Sequence, residues 1–287
     1  MGGATAPRRA TRATGCRPTR GVAEGTGARA TERLADGSSS SGVTVRPPVV
    51  RAARCYPRRR AVHLAARHWS DTLDATSVAR AVGLILLGYL SGSIPVGVLV
   101  ARLAGGPDPR TIGSGRTGGT NALRALGRRW ALVVVLGDLL KGIVPVLLAL
   151  SVSGDPIVVS LVGLAAVLGA VRSIFLRFHG GRGIGTGVGT MLAIEPLAIV
   201  LAAPVFVGTV AVTGYVSLGS LLGSAAIVPA MALVWWILGE PFSPVYIAYV
   251  AVGAALIWIS HADNIARLLS GTERKLDLSL LTRDHGD

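Results

Sequence analysis

Apolar runs follow one another along this chain from residue 78 onward, at 78–103, 130–152, 157–171, 197–213, 216–238 and 245–260. The hydrocarbon core of a bilayer is about 30 Å thick, so a helix of about 20 apolar residues crosses it, and inside it every backbone N–H and C=O must bond within the segment. Runs of this length predict an all-α, polytopic membrane protein. Only 15% of the residues are charged, against about a quarter in soluble domains. An ordinary soluble fold is excluded.

A seventh apolar stretch, 183–194, is too short and Gly-rich to cross alone, and is expected to be a broken or short span packed inside the protein. About seven spans result. Arg110, Arg116, Arg124, Arg128 and Arg129 follow the first, and Arg172, Arg177 and Arg182 follow the third, which places both joints in the cytoplasm. The SGDP at 153–156 turns the chain back outside.

Residues 1–77 are rich in Arg, Ala, Gly, Thr and Ser, without periodicity, and are expected to be a disordered extension and no signal peptide. Most of the +14 charge lies there: 14 Arg against 5 acids in 1–79, and 15 basic residues against 10 acids in 80–287. An arm for anionic lipid or nucleic acid competes with a passive extension, and the passive reading is preferred, with no nucleic-acid partner. Seven crossings with residues 261–287 in the cytoplasm put this tail outside, against the charge rule, so it is expected to be absent from the mature protein, with a start near Val78. Cys16 and Cys55 both lie in the tail, so no disulfide framework ties the apolar part together. The organisation expected is 1–77 extension, 78–276 membrane domain and 277–287 cytoplasmic tail.

Chemistry-bearing residues gather in the joints. The stretch 113–124, GSGRTGGTNALR, mixes glycine with Ser114, Arg116, Thr120, Asn121 and Arg124. Thr120 or Asn121 can cap a helix whose N-terminus attracts a phosphate. A loop lying on lipid headgroups is the alternative. Asp138 and Lys141 stand three apart inside a span, so they share a face; a functional pair and a structural ion pair are equally open. In FHGGRGIGTG at 178–187, Gly180, Gly181, Arg182 and Gly183 look like a phosphate grip without the ending or preceding strand of an NTP-binding loop. His261, Asn264 and Arg267 share a helical face after the last span, with Glu273 beyond Gly271. Scattered histidines give no metal signature, no cofactor is expected, and neither a Gly-x-Ser-x-Gly elbow nor a His-x4-Asp pair is present.

Taken in order, SGSIPVG at 91–97, DPRTIGSGRTGGTNALR at 108–124, GDLLKG at 137–142, FHGGRGIGTG and HADNIARLLSGTERK resemble the bacterial acyl-phosphate:glycerol-3-phosphate acyltransferases, the PlsY type. The resemblance implies a seven-span inner-membrane enzyme, its site facing the cytoplasm, that makes lysophosphatidic acid from acyl phosphate and sn-glycerol 3-phosphate. It implies catalytic roles for Ser114, Arg124, Arg182, His261 and Asn264. Substrate binding would fall to Thr120, Asn121, Asp138, Lys141, Gly180, Gly181, Gly183, Ser217 and Glu273. The chain departs from the family pattern at Arg116, His179 and Arg182, and at 170–173, where Ala-Val-Arg-Ser replaces His-x-Phe-Pro. A transporter of a small organic phosphate and a non-catalytic homologue are the alternatives; the first calls for an inverted repeat, which the sequence lacks.

Overall fold

The computed structural model describes residues 74–241 and 243–277, and all regular structure among them is helical. Helix α1, Ala75–Ser93, starts on Asp74, whose carboxylate accepts from the Ser77 N–H at 2.8 Å and satisfies a donor that a helix start leaves unpaired. It thus begins inside the stretch expected to be disordered. The rest of that extension, and the C-terminal tail past Asp277, lie outside the described residues.

The first expected span, 78–103, is two helices. Pro95 has no N–H to donate and ends α1, and α2, Val96–Leu103, starts afresh beyond it. The Ile94 carbonyl at the break accepts from Lys141 Nζ at 3.0 Å. A short loop then leads to α3, Gly119–Leu126, and a turn at Gly127, with φ of 80°, to α4, Arg128–Val152. Asp155 caps α5, Pro156–Val171, by accepting from the Ile157 N–H at 2.7 Å, and Pro156 sits at the first helical position, where its missing N–H is harmless. The remaining helices are α6, Ile184–Ile194; α7, Pro196–Thr213; α8, Val216–Leu238; α9, Pro244–Ser260; and α10, Ala262–Leu269.

Helices α1, α4, α7 and α8, and α5 with the turn that follows it, are long and apolar enough to cross a bilayer. Helix α9 meets that measure only when joined to the polar α10, from which it is bent by 62°. Helix α6, eleven residues and about 16 Å long, cannot cross alone. These seven apolar helices match the expected number, with the short one where it was expected.

Lipid tails are as apolar as leucine, so close helix contact here depends on small residues that let backbones approach. Helix α4 meets α6 through Gly142 and Gly189: a Cβ on Gly142 would lie 2.2 Å from the Thr186 carbonyl oxygen, and one on Gly189 would lie 2.1 Å from that of Leu139. Helix α1 meets α5 in the same way, a Cβ on Gly92 landing 1.9 Å from the Ala166 oxygen. A core including Val146, Val159, Val162, Met231 and Trp235 fills the bundle, and a smaller one, with Val100, Ala122 and Val134, locks α2 and α3 onto α4.

Candidate active site

A cavity of about 590 Å³ opens where the loop before α3, the starts of α6 and α8, and α10 converge. Of the expected site residues, Ser114, Thr120, Asn121, Arg124, Asp138, Lys141, Gly181, Arg182, Gly183, Ser217, His261, Asn264 and Glu273 all line it. Gly180 does not. Its N–H bonds the Val171 carbonyl, and its own carbonyl accepts from Arg116 at 3.4 Å, so its part is in the loop's framework.

The loop before α3 is organised by Asn121. Its amide nitrogen donates to the Arg116 carbonyl at 2.9 Å and to Ser114 Oγ at 3.1 Å, while its Oδ1 accepts from Arg124 at 3.2 Å. Gly113, at φ of 60°, is in the left-handed region, and a Cβ there would come within 2.5 Å of Asn121 Oδ1, so glycine is required twice over. Neither Thr120 nor Asn121 caps α3: the N-cap is Gly118, with no side-chain bond, and both lie in the first helical turn. Gly118 holds the extended backbone usual at an N-cap, so the helix starts ahead of the polar pair. Burial pushes the Arg124 guanidinium below its ordinary value, and nearby Arg274 adds to the effect. An anion near it would relieve both strains.

The glycine loop is held by backbone. Gly180 and Gly181 donate their N–H groups to the carbonyls of Val171 and Ala170, at 3.1 and 2.9 Å. Any residue supplies a carbonyl, so the altered side chains at 170–173 leave this attachment intact. Ser173, the last of them, gives its hydroxyl to the Ser93 carbonyl at 2.5 Å and ties the loop to α1. Arg182 projects into the cavity and pairs with Asp263 at 2.8 Å. Burial pushes its guanidinium below the usual value, and Asp263 partly offsets that.

Asp138 and Lys141 do pair, at 2.8 Å, on the predicted face of α4. Lysine is also bonded to the Ile94 carbonyl, so one ammonium closes the break after α1 and faces the cavity.

At α10 a carboxylate forms the hub. Glu273 accepts from Ser217 Oγ at 3.0 Å and Asn264 Nδ2 at 2.7 Å on one oxygen, and from Arg267 Nε at 2.8 Å on the other. With its nitrogen so occupied, Asn264 keeps Oδ1 buried and without a protein partner, and Arg182 Nε and Asp263 Oδ1 are in the same state. Buried polar atoms are nearly always paired, so two orphans on residues that line one cavity, with a third beside them on the Arg182 partner Asp263, mark a place for a polar ligand. His261, 2% exposed, bonds the Ile257 carbonyl through Nδ1 at 2.8 Å. A carbonyl only accepts, so Nδ1 carries the proton and Nε2 is the acceptor. Burial brings this histidine down to about 4, hence neutral at physiological pH.

Six cationic side chains line the cavity, Arg116, Arg124, Lys141, Arg182, Arg267 and Arg274, against Asp138 and Glu273, with Asp263 at the edge. The mouth is built for anions. Below it the wall is apolar, with Val167, Met191, Ile199, Ile227 and Ile257 among its residues. Sequence reasoning missed two parts of the mouth. Asp263 bridges Arg182 and Arg267, and only its i, i+4 spacing to Arg267 was legible. Arg274 donates to the Gly113 carbonyl across the cavity, a long-range contact with no local signal. Among the described residues no three His, Cys, Asp or Glu side chains group as metal ligands.

The family model described as glycerol-3-phosphate acyltransferase matches residues 82–271. A glycerol-3-phosphate acyltransferase of Geobacter sulfurreducens is 44% identical over 193 residues, 67% of this chain and 95% of the relative. One from Thermus thermophilus is 45% identical over 197 residues, 68% of this chain and 95% of its own length. The crystal structure of PlsY, an integral membrane glycerol 3-phosphate acyltransferase, in its glycerol 3-phosphate form is similar at a TM-score of 0.64 and 34% identity, covering 71% of this chain and all of that one. Its lysophosphatidic acid form gives 0.62 and 33%, with the same coverage. Matched over most of its helical region by the family model, and by relatives along nearly their whole length, the chain belongs to the glycerol-3-phosphate acyltransferase family.

Proposed function

We propose that this multi-pass membrane enzyme transfers a fatty acyl group from an acyl phosphate to the 1-hydroxyl of sn-glycerol 3-phosphate. The products are lysophosphatidic acid, a phospholipid precursor, and phosphate. The observation that carries this reading is one continuous cavity with a cationic, orphan-lined mouth and an apolar interior, which suits two phosphates and one acyl chain.

In this mechanism Arg124, Ser114 and Thr120, on the frame that Asn121 braces, hold one phosphate, and Arg182 with Gly181 and Gly183 holds the other, with Lys141 and its partner Asp138 beneath. Asn264 Oδ1 and His261 Nε2, both acceptors, orient the glycerol through its hydroxyls, and Ser217 and Glu273 fix the Asn264 amide. The hydroxyl oxygen attacks the acyl carbonyl and the C–O bond to phosphate breaks. The hydroxyl proton ends on the departing phosphate. Phosphate is a good leaving group, so orienting two anions and stabilising developing charge supply most of the rate. A histidine held near 4 is a poor general base at neutral pH, in keeping with a proton acceptor on the substrate.

The catalytic unit in this reading is residues 78–276. The Arg-rich joints 110–129 and 172–182 contribute to the mouth, which by the positive-inside rule puts the site at the cytoplasmic face of a bacterial inner membrane. The test is labelled lysophosphatidic acid formed by the full chain in detergent from palmitoyl phosphate and labelled glycerol 3-phosphate. Product that disappears in Arg124→Ala and Asn264→Ala is expected. Undiminished product in both variants would contradict the assigned roles.

A further inference from the structure

Away from the mouth, Met191, Ala202, Ile227, Tyr249 and Val250 belong both to the cavity's wall and to the packed core of the bundle, and form its floor. Tyr249 is the largest of these and is 4% exposed. Its ring lies against α5 at Gly163, where a Cβ would come within 2.9 Å of ring carbon and hydroxyl alike. The hydroxyl donates to Thr190 Oγ1 at 2.6 Å, and Thr190 passes a hydrogen bond on to the Gly187 carbonyl at 2.7 Å. The one polar atom of the ring is therefore satisfied in apolar surroundings, and the ring is pinned from two helices.

Helix geometry gives the depth. Tyr249 precedes His261 by twelve positions, which at 1.5 Å each is about 18 Å, and Ser217 to Ile227 on α8 spans about 15 Å. One leaflet of a bilayer with a hydrocarbon core of about 30 Å is about 15 Å deep. The distance from mouth to floor matches one membrane acyl chain.

We infer that Tyr249, seated on Gly163 and tied to Thr190, is the stop that sets the longest acyl chain the donor can carry. The inference rests on the acyl-transfer reading above and adds its chain-length specificity. Each methylene buried above the stop strengthens binding about four-fold, and a methylene that meets the ring gains nothing and forces the wall apart. Preference should climb with length and then break at the stop.

The experiment compares kcat/KM of the full chain for acyl phosphates of roughly 12 to 20 carbons, where each added methylene is a readable step. Tyr249→Ala is expected to move the optimum to longer chains and to raise the ratio of the longest to the wild-type optimum by about ten-fold. Gly163→Ala, whose added methyl pushes the ring into the cavity, moves it to shorter chains. Tyr249→Phe keeps the ring and the wild-type order of preference. Thermal stabilisation by alkyl phosphates of the same lengths repeats the comparison without turnover. An unchanged length order in both Tyr249→Ala and Gly163→Ala, with turnover of palmitoyl phosphate retained, would overturn the stop alone. Absence of transfer with every length in the wild type would overturn the acyl-transfer reading, while the alkyl phosphate series would still decide whether Tyr249 limits length.

Discussion

The two ends of the cavity are held by opposite means. At the mouth, positions come from directional bonds among loops and helix ends: Asn121 bonded to Ser114, Arg116 and Arg124, and Glu273 gripped by Ser217, Asn264 and Arg267. At the floor they come from interdigitated apolar side chains and glycines set flush against neighbouring helices. Among the described residues, three of the five buried polar side-chain atoms without partners gather at the mouth, on Arg182, Asp263 and Asn264, the other two being the Ser93 and Ser160 hydroxyls within α1 and α5, whereas the Tyr249 hydroxyl at the floor is paired. The contrast teaches that the reacting end is left incomplete so that substrate completes it. The other end is finished in advance and can only measure what enters.

The largest effect that would break this division is at Arg124. Its loss to alanine should lower kcat/KM about a hundred- to a thousand-fold, the usual effect of removing one preorganised charge donor, and by the same factor at every chain length. Loss that depends on chain length would show that mouth and floor are not separate. Next comes Gly189→Val. Its Cβ would meet the Leu139 carbonyl at 2.1 Å, so α6 must move off α4, at about 3 kcal/mol or more, seen as a lower melting temperature in detergent. Wild-type melting would mean that α6 is not packed as described.

Glu273→Gln sharpens the picture of the mouth. Neutralising the hub turns an acceptor into a donor toward Asn264 and weakens the Arg267 bond, so kcat should fall about ten-fold with little change in length preference. The pH profile is a smaller effect. Because burial favours neutral His261, with a value of about 4, its protonation should leave activity level between about pH 6 and 8 and depress it only in more acid solution. A step near pH 6.5 that disappears in His261→Gln would contradict this. Least of all, Arg177 and Phe178 hold left-handed backbone at φ of 51° and 63°, and Arg177→Gly should raise stability by up to about 1 kcal/mol.

The mouth was more legible in the sequence than the floor, and the reason is physical. Glycines mixed with Ser, Arg and Asn beside apolar runs are rare enough to stand out, and the i, i+3 spacing of Asp138 and Lys141 already implied their ion pair. The spans showed because a bilayer demands length. The break at Pro95 was hidden by apolar residues on both sides, and the start of α3 by a glycine cap that leaves no side-chain signature. Arg182 and Asp263 stand 81 residues apart, and nothing local joins them. Tyr249 and Met191 read as two more apolar residues in apolar helices. Only the packing of Gly163 and Thr190 around the ring distinguishes a floor from a wall.

The most direct test of the central claim is the donor. Full-length protein in detergent, given labelled glycerol 3-phosphate, is offered palmitoyl phosphate in one reaction and palmitoyl-CoA in another, and labelled lysophosphatidic acid is measured. Rapid product from palmitoyl phosphate and none from the thioester is the expected result. Equal or exclusive use of palmitoyl-CoA, or no product from folded protein while an active relative works alongside, would contradict it.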